Sequence, residues 1–495
     1  MQLNKIVVKN FRCIEDVTFK IEEINNSYTF TLLGINESGK SSFLNAVSLI
    51  DDTKIVYPQD YFNPNNNVEL FLHYLLEPDE VSDITETLTE DFSFDRSIVN
   101  RILINEVIIK VTYLATASQS KKIEEIVKFK ESNFPDYSIA KINDTDIVIK
   151  KKEVKKIVNS EIENYELVQE ELDLEMFFKT YFEDYFWDLS HKIIFWKSSP
   201  QYLIMDEINL INFSADPDKV SIPLLNCFKI AEIEDIATTI ARLNNPVNIQ
   251  NLEDLLSDKV STHINKVWPE HEIKIKFKIN ANKLTFLIED KDVKYNAKTT
   301  SQRSDGFRQF ISFLLTLSAQ NYTDELQNTI LLLDEPETHL HPTAQLNLLN
   351  ELIKISTDKK NNVVLFATHS NYMIDKNNID RCYKTFKKKN STKFEKIPSG
   401  HSSYSEVNYE VFDVVTSDYH NELYGYIECE LKEELDKIEK NKTWNNEKTK
   451  KITKESLPTY IRHSIHHPEN TSNKKFTDAE LKKSIQLLRE IKYKI

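Results

Sequence analysis

The stretch Tyr28–Ile50, YTFTLLGINESGKSSFLNAVSLI, constrains what this chain can fold into more than any other part of it. An apolar run ends at Leu33. Gly34-Ile35-Asn36-Glu37-Ser38-Gly39-Lys40-Ser41 follows and fits G-x-x-x-x-G-K-[ST], after which Phe43, Leu44, Val47 and Ile50 recur at helical spacing. The motif therefore lies where its chemistry needs it, between a buried strand and a helix N-terminus. Its glycines let the backbone wrap so that N–H groups point at phosphate oxygens, and the helix dipole adds positive potential there. The candidate nucleotide-binding residues are Asn36, Glu37, Ser38, Gly39, Lys40, Ser41 and Ser42. Lys40 can reach the β- and γ-phosphates, and Ser41 can ligate Mg²⁺.

Glycine usage sharpens this reading. The chain has 5 glycines, and two of them, Gly34 and Gly39, are in this loop; a third is Gly306. A chain so poor in glycine keeps it where backbone must touch a ligand or turn left-handed. The length of 495 residues allows two to four domains, and a 40% hydrophobic content supports real cores. No apolar run approaches the ~20 residues of a membrane span, and the N-terminal MQLNKIVVKNFRC lacks the apolar stretch of a signal peptide. Four dispersed cysteines without C-x-x-C read as reduced thiols, so a cytoplasmic location and no membrane partner are expected. The net charge of −15 argues against an all-over nucleic-acid-binding surface and leaves room for a local basic patch.

Residues 1–34 read as strands, with Val17, Phe19 and Ile21 alternating. Val68–Leu76 and Asn105–Ala115 also read as strands, and Pro78 opens a helical stretch to about Thr89. The chain from Ser118 to Glu153 reads as charged and irregular, with one strand at Asp146–Lys150; Val154–Leu189 reads as mostly helical and aromatic. Ile193–Trp196 is a short buried strand, Leu224–Leu243 and Leu252–Val267 are amphipathic helices, and Ile273–Ile279 and Lys283–Ile288 are strands. Phe307–Ala319 and Ala344–Ile355 read as helices, and Ile330–Leu333 and Val363–Ala367 as buried strands. Lys384–Lys396 is basic and polar, and the chain beyond Glu406 reads as helical almost to its end. No repeat and no sustained heptads occur, so the segment around 120–260 is not a long coiled coil.

A second half of a nucleotide site lies downstream. Four apolar residues, Ile330–Leu333, lead into Asp334-Glu335-Pro336. A buried strand would carry Asp334 to the sheet edge to hold the Mg²⁺ water shell, and Glu335 would polarise the attacking water. Val363–Ala367 delivers Thr368-His369-Ser370, where His369 fits a γ-phosphate-sensing switch. Between these, Gln302-Arg303-Ser304-Asp305-Gly306-Phe307-Arg308 opens a helix; Ser304 and Gly306 can present a hydroxyl and bare amides to an anion. Gln59, in Tyr57-Pro58-Gln59-Asp60, is a candidate Q-loop glutamine.

KNFR near the start, GINESGKS, RSDGFRQF, LLLDEPETHLHP and ATHS, in that order, resemble the ABC-type ATPase heads of the RecF/SMC group. Within that group they look like the OLD (overcoming lysogenization defect) ATPases, the branch that includes the ATPase subunits of the PARIS and Septu anti-phage systems. The resemblance covers roughly residues 1–110 and 260–375. It implies an α/β head with a mixed sheet around a P-loop core, ATP and Mg²⁺ as cofactors, and two heads that sandwich two ATPs. Ser304 and Gly306 would then act on the partner's nucleotide, and the 334–342 segment, with His339 and His341, would be a dimer-contact loop rather than a metal site. The implied layout is an N-terminal head part at 1–117, a mostly helical insertion serving as dimerisation arm at 118–267, the second head part at 268–390 and a helical C-terminal domain at 391–495. The implied function is an ATP-hydrolysing sensor or scaffold in anti-phage defence, homo-oligomeric, controlling a separate effector protein and answering a phage trigger protein. An alternative is a RecF-like DNA-repair head, for which nucleic acid would be a partner.

OLD nucleases carry a TOPRIM domain after the head, which needs a Glu near a Gly and an Asp-x-Asp. After His369 the chain has only Gly400 and Gly425 and no convincing Asp-x-Asp, so no TOPRIM nuclease is expected. The tail does contain Arg-x-x-x-x-His from Arg462 to His467, which resembles the active motif of HEPN ribonucleases. A self-contained, ATP-gated ribonuclease is therefore a further alternative. The structural reading of the same stretch is a helix C-terminus whose histidines meet the dipole, with Leu457, Ile461 and Ile465 as its core stripe.

Overall fold

The computed structural model describes residues 1–50, 55–102, 104–115, 120–142, 145–153, 165–267, 272–290, 296–321, 326–357, 361–397 and 403–493. The chain divides into two compact units, Met1–Met373 with Thr385–Glu395, and Ile374–Lys384 with Lys396–Ile495.

The first unit is built on a sheet in which Lys192–Lys197, Thr329–Asp334, Val363–Thr368 and Thr29–Leu33 lie side by side, all parallel. The residues of Thr29–Leu33 and Val363–Thr368 are all buried, as are the first five of Thr329–Asp334. Unbroken apolar runs of this kind belong to a parallel sheet covered on both faces. Register then decides where the functional residues go. Asp334 is opposite Ala367 and Thr368 opposite Leu33, so Gly34, Glu335 and His369 all emerge at one C-terminal edge. The helix Lys40–Ser48 is fastened onto this sheet by Phe43, whose ring centroid lies 5.4 Å from that of Phe19 and 4.9 Å from that of Phe394. The expected α/β class holds, and antiparallel sheets accompany the parallel one.

One of these has the order Ile14–Lys20, Gln2–Phe11, Val68–Leu75, Glu106–Tyr113, Lys121–Lys128. A second joins Glu207–Asn209, Lys283–Asp290 and Ile273–Asn280, and it packs with the helices Ile222–Ile230, Pro246–Val267 and Asp305–Asn321 into one apolar core. The 118–153 segment is more regular than expected: it holds strands at Lys121–Lys128, Tyr137–Ile142 and Thr145–Lys150. Most side chains of Lys121–Lys128 are half-buried, which erases the alternation that marks a strand in sequence. Of the stretch read as helical at 154–189, residues 154–164 lie outside the described residues. Among the described residues of that stretch, Tyr165–Gln169 is a strand paired with Tyr137–Ile142, a long-range pairing that local periodicity does not reveal, and a helix follows at Leu174–Tyr181.

Residues Thr385–Glu395 of the first unit lie next to Thr29–Leu33 in the sheet and turn through Lys389 and Asn390, with φ of 51° and 66°. The sequence reading as merely basic and polar missed this hairpin, because its tight turn is Lys-Asn rather than the usual Asn-Gly.

In the second unit, the helices Tyr404–Phe412, Ser417–Glu430, Leu457–His466 and Asp478–Tyr493 surround a core that includes Ile427, Ile461, Ile485 and Leu488. A hairpin, Lys442–Asn446 with Lys451–Glu455, interrupts the expected helical run. Trp444 is its only buried side chain, so the strands carry little hydrophobic signal. No helix among the described residues is long and apolar enough to cross a membrane.

Candidate nucleotide site

The loop leaves the strand Thr29–Leu33 and enters the helix Lys40–Ser48 through left-handed backbone at Glu37 (φ 61°) and Gly39 (φ 108°). A Cβ on Gly39 would lie 2.0 Å from Thr392 Oγ1, and one on Gly34 would lie 2.4 Å from the Thr385 carbonyl oxygen. The 385–395 hairpin therefore presses on both glycines, and Thr392 Oγ1 donates to the Ser38 carbonyl at 3.0 Å. The glycines are required by close packing as well as by turn geometry.

Lys40 Nζ donates to the carbonyls of Gly34 (2.9 Å) and Ile35 (3.2 Å) and lies 3.1 Å from His369 Nε2. Burial lowers the Lys40 ammonium to about 8, against the pull of Glu335, Asp334 and Glu337. Ser41 Oγ donates to Asp334 Oδ1 at 2.8 Å. His369 Nε2 is also 3.3 Å from Glu335 Oε1. The two adjacent acids are driven apart. Burial pushes Asp334 up, offset by the Ser41 hydroxyl, whereas the hydrogen bond from His369 holds Glu335 below the ordinary glutamate range. Glu335 itself has φ 54°; its N–H donates to the Ala367 carbonyl (3.0 Å), and its carbonyl accepts from Gln309 Nε2 (3.1 Å) and Thr338 Oγ1 (3.0 Å).

Lys40, Ser41, Glu335 and His369 border a cavity of about 560 Å³, lined also by Asn36, Ser42, Arg12 and Lys387, with Asp334 reaching it through Ser41, a size suited to a small-molecule ligand. Its donors fit a polyphosphate: a buried ammonium, a glycine loop at a helix N-terminus, and a buried Ser38 hydroxyl that has no partner among the described residues. Ser41 and Asp334 fit a cation of the Mg²⁺ kind, which takes one or two protein oxygens and completes its shell with phosphate and water.

Other sequence candidates lie elsewhere. Ser304 is exposed and its Oγ accepts from Phe307 N (3.3 Å), capping the helix Asp305–Asn321; Gly306 abuts the His339 backbone, where a Cβ would sit 2.2 Å from the carbonyl oxygen. Neither lines the Lys40 cavity. Gln59 is exposed on the turn Pro58–Asp60 and does not line the cavity either. The turn acts through the next residue: buried Asp60 accepts from Arg12 Nε at 2.7 Å and so sets a cation at the cavity wall. Arg12, Lys387 and Thr392 went unassigned in the sequence because each is placed by a partner far away in the chain. Arg462 lies over the Tyr424 ring at 5.5 Å, while His467 ends its helix and faces Glu469 at 3.4 Å, so the two have separate partners. His339 and His341 are exposed, and no cluster of three or more metal-ligating side chains occurs among the described residues.

The AAA ATPase domain family matches residues 1–374, about three quarters of the chain. This chain belongs to the AAA ATPase domain family. Within this AAA ATPase, 145 residues are 31% identical to an uncharacterized protein of Methanocaldococcus jannaschii; they are 28% of the chain and span 36% of that relative. Among solved structures, an SMC head bound to the C-winged helix domain of ScpA aligns with a TM-score of 0.39 and 12% identity, covering 81% of this chain and 98% of that one. An SMC head of Pyrococcus furiosus with an extended coiled coil, bound to the C-terminal domain of ScpA, gives 0.36 and 12%, covering 80% and 96%. The SMC head domain of Thermotoga maritima gives 0.33 and 10%, covering 80% and 100%.

Proposed function

We propose that this ATPase binds and hydrolyses ATP with Mg²⁺ at the 34–41 loop, and that ATP clamps two copies into a dimer that governs a separate effector protein in defence against phage. The observation that carries the catalytic part is the meeting of Lys40, Ser41, Asp334, Glu335 and His369 at one sheet edge, linked by contacts of 2.8 to 3.3 Å. Lys40 and the amides of Asn36–Ser42 hold the phosphates, while Ser41 and Asp334 hold the cation, which neutralises phosphate charge when bound. Glu335, kept ionised by His369, orients and polarises the attacking water. His369, between Lys40 and Glu335, senses the γ-phosphate. The defence role rests on the ordered motif set and its likeness to OLD-type ATPases, and the phage trigger belongs to the same reading.

The placement of Ser304 outside its own chain's cavity supports action in trans, since its exposed hydroxyl at a helix start is accessible to a nucleotide presented by another copy. Mixing Lys40→Ala with Ser304→Arg protomers is expected to restore one complete site per mixed dimer, read as recovered phosphate release from two inactive preparations. A strictly monomeric protein with full activity would refute the clamp. Defence is tested by plating phage on cells that carry the protein with and without its partner; equal plating with Lys40→Ala and wild type would remove the defence reading.

A further inference from the structure

Glu337 has no part in the chemistry above, yet it is the most deeply buried of the three acids at this edge, only 4% exposed. Its Oε1 accepts from Thr368 Oγ1 and from His369 N (3.4 Å). Its Oε2 is buried without a partner among the described residues. Thr368 Oγ1 in turn accepts from Ser370 N at 2.9 Å, and Ser370 Oγ donates to Gln345 Oε1. Gln345 Nε2 donates to the carbonyls of Leu340 (2.8 Å) and Glu337 (3.4 Å). A closed ring of hydrogen bonds thus joins the end of the strand Val363–Thr368, the 337–340 loop and the helix Pro342–Ile355. His369 sits on one side of this ring, reaching Lys40 and Glu335, and Gly306 leans on the loop at His339 from another.

An ionised Glu337 would place charge on an oxygen with no donor, close to Glu335. The charged and titratable groups facing it are Lys40, Glu335 and His369, and the Lys40 ammonium is already held by two loop carbonyls. We propose that Glu337 is a positioning residue of the ATPase site, acting as a neutral carboxylic acid that fixes His369 and the 337–340 loop in a single arrangement. This rests on the site reading given above. Burial, the largest influence, and nearby Glu335 push its carboxyl up to about 7, in line with the geometry. Because the folded carboxyl keeps its proton where the unfolded one has lost it, Glu337 contributes stability that is full below the ordinary glutamate range and declines as pH rises toward about 7.

The test compares Glu337→Gln and Glu337→Ala with wild type in ATP hydrolysis and in thermal melting from pH 5 to 8. Glutamine reproduces the shape and hydrogen bonding of a protonated carboxyl. It is expected to keep kcat within about twofold at neutral pH, whereas alanine loses about tenfold or more in kcat with KM little changed. Wild type should also lose melting temperature relative to Glu337→Gln as pH rises through this window. A Gln variant as inactive as the Ala variant, or an Ala variant with wild-type kcat, overturns the proposal. If wild type itself fails to hydrolyse ATP, the site reading fails first; the melting comparison still reports whether Glu337 is neutral, and parallel pH profiles for wild type and Gln would overturn that.

Discussion

Lys40→Ala is expected to abolish nucleotide binding while leaving the chain folded. Lys40 is only 4% exposed and its ammonium is the one cation within the glycine loop itself, so its loss leaves phosphates at that loop with its amides, and with Arg12 and Lys387 at the cavity wall, to offset Glu335 and Asp334. A charge-assisted hydrogen bond to phosphate contributes roughly 1.5–3 kcal/mol, and a lysine bridging two phosphates makes more than one, so affinity should fall by about 10²-fold or more. Folding should tolerate the change, because in the folded chain the desolvation of Lys40 opposes its charged state and its bonds run to the loop carbonyls of Gly34 and Ile35. Binding of a labelled ATP analogue to the purified variant, alongside its melting curve, checks both halves of this expectation.

Glu335→Gln is expected to separate binding from turnover. The hydrogen bond from His369 keeps the Glu335 carboxylate ionised in the range where it can accept a proton from water. Glutamine preserves shape and the contacts of the backbone, which is held in its left-handed conformation by Ala367, Gln309 and Thr338. General-base assistance is worth about 10²–10⁴-fold, so hydrolysis should fall by that factor with ATP affinity intact. The bound, unhydrolysed ATP should then hold two copies together, seen as a larger species in size-exclusion chromatography on addition of ATP and Mg²⁺.

The parts of this site that sequence made legible are those whose chemistry and geometry lie in one short stretch. Gly34 to Ser41 sit between a buried strand and a helix as their spacing predicts, and the runs Ile330–Leu333 and Val363–Ala367 set Asp334, Glu335 and His369 at the same edge through parallel register. The parts that were not legible depend on residues distant in the chain. Thr392 presses on Gly39 across some 350 positions, Asp60 fixes Arg12, and Glu337 acquires its role only from Thr368 and His369. The strand Lys121–Lys128 and the hairpin at 442–455 escaped for a related reason: their faces are half-buried or exposed, so no hydrophobic period records them, whereas the strand read at Asp146–Lys150 is present as Thr145–Lys150. Gln59 illustrates the reverse error, a residue type matched in sequence while its neighbour Asp60 makes the contact.

The central claim is that the 34–41 loop and the acid pair form one hydrolytic site. It is tested most directly by recovering the nucleotide from each protein after incubation with ATP and Mg²⁺ under single-turnover conditions. Wild type should return ADP, Glu335→Gln should return intact ATP, and Lys40→Ala should return none. ADP from Glu335→Gln at the wild-type rate, or ATP retained by Lys40→Ala, would contradict it.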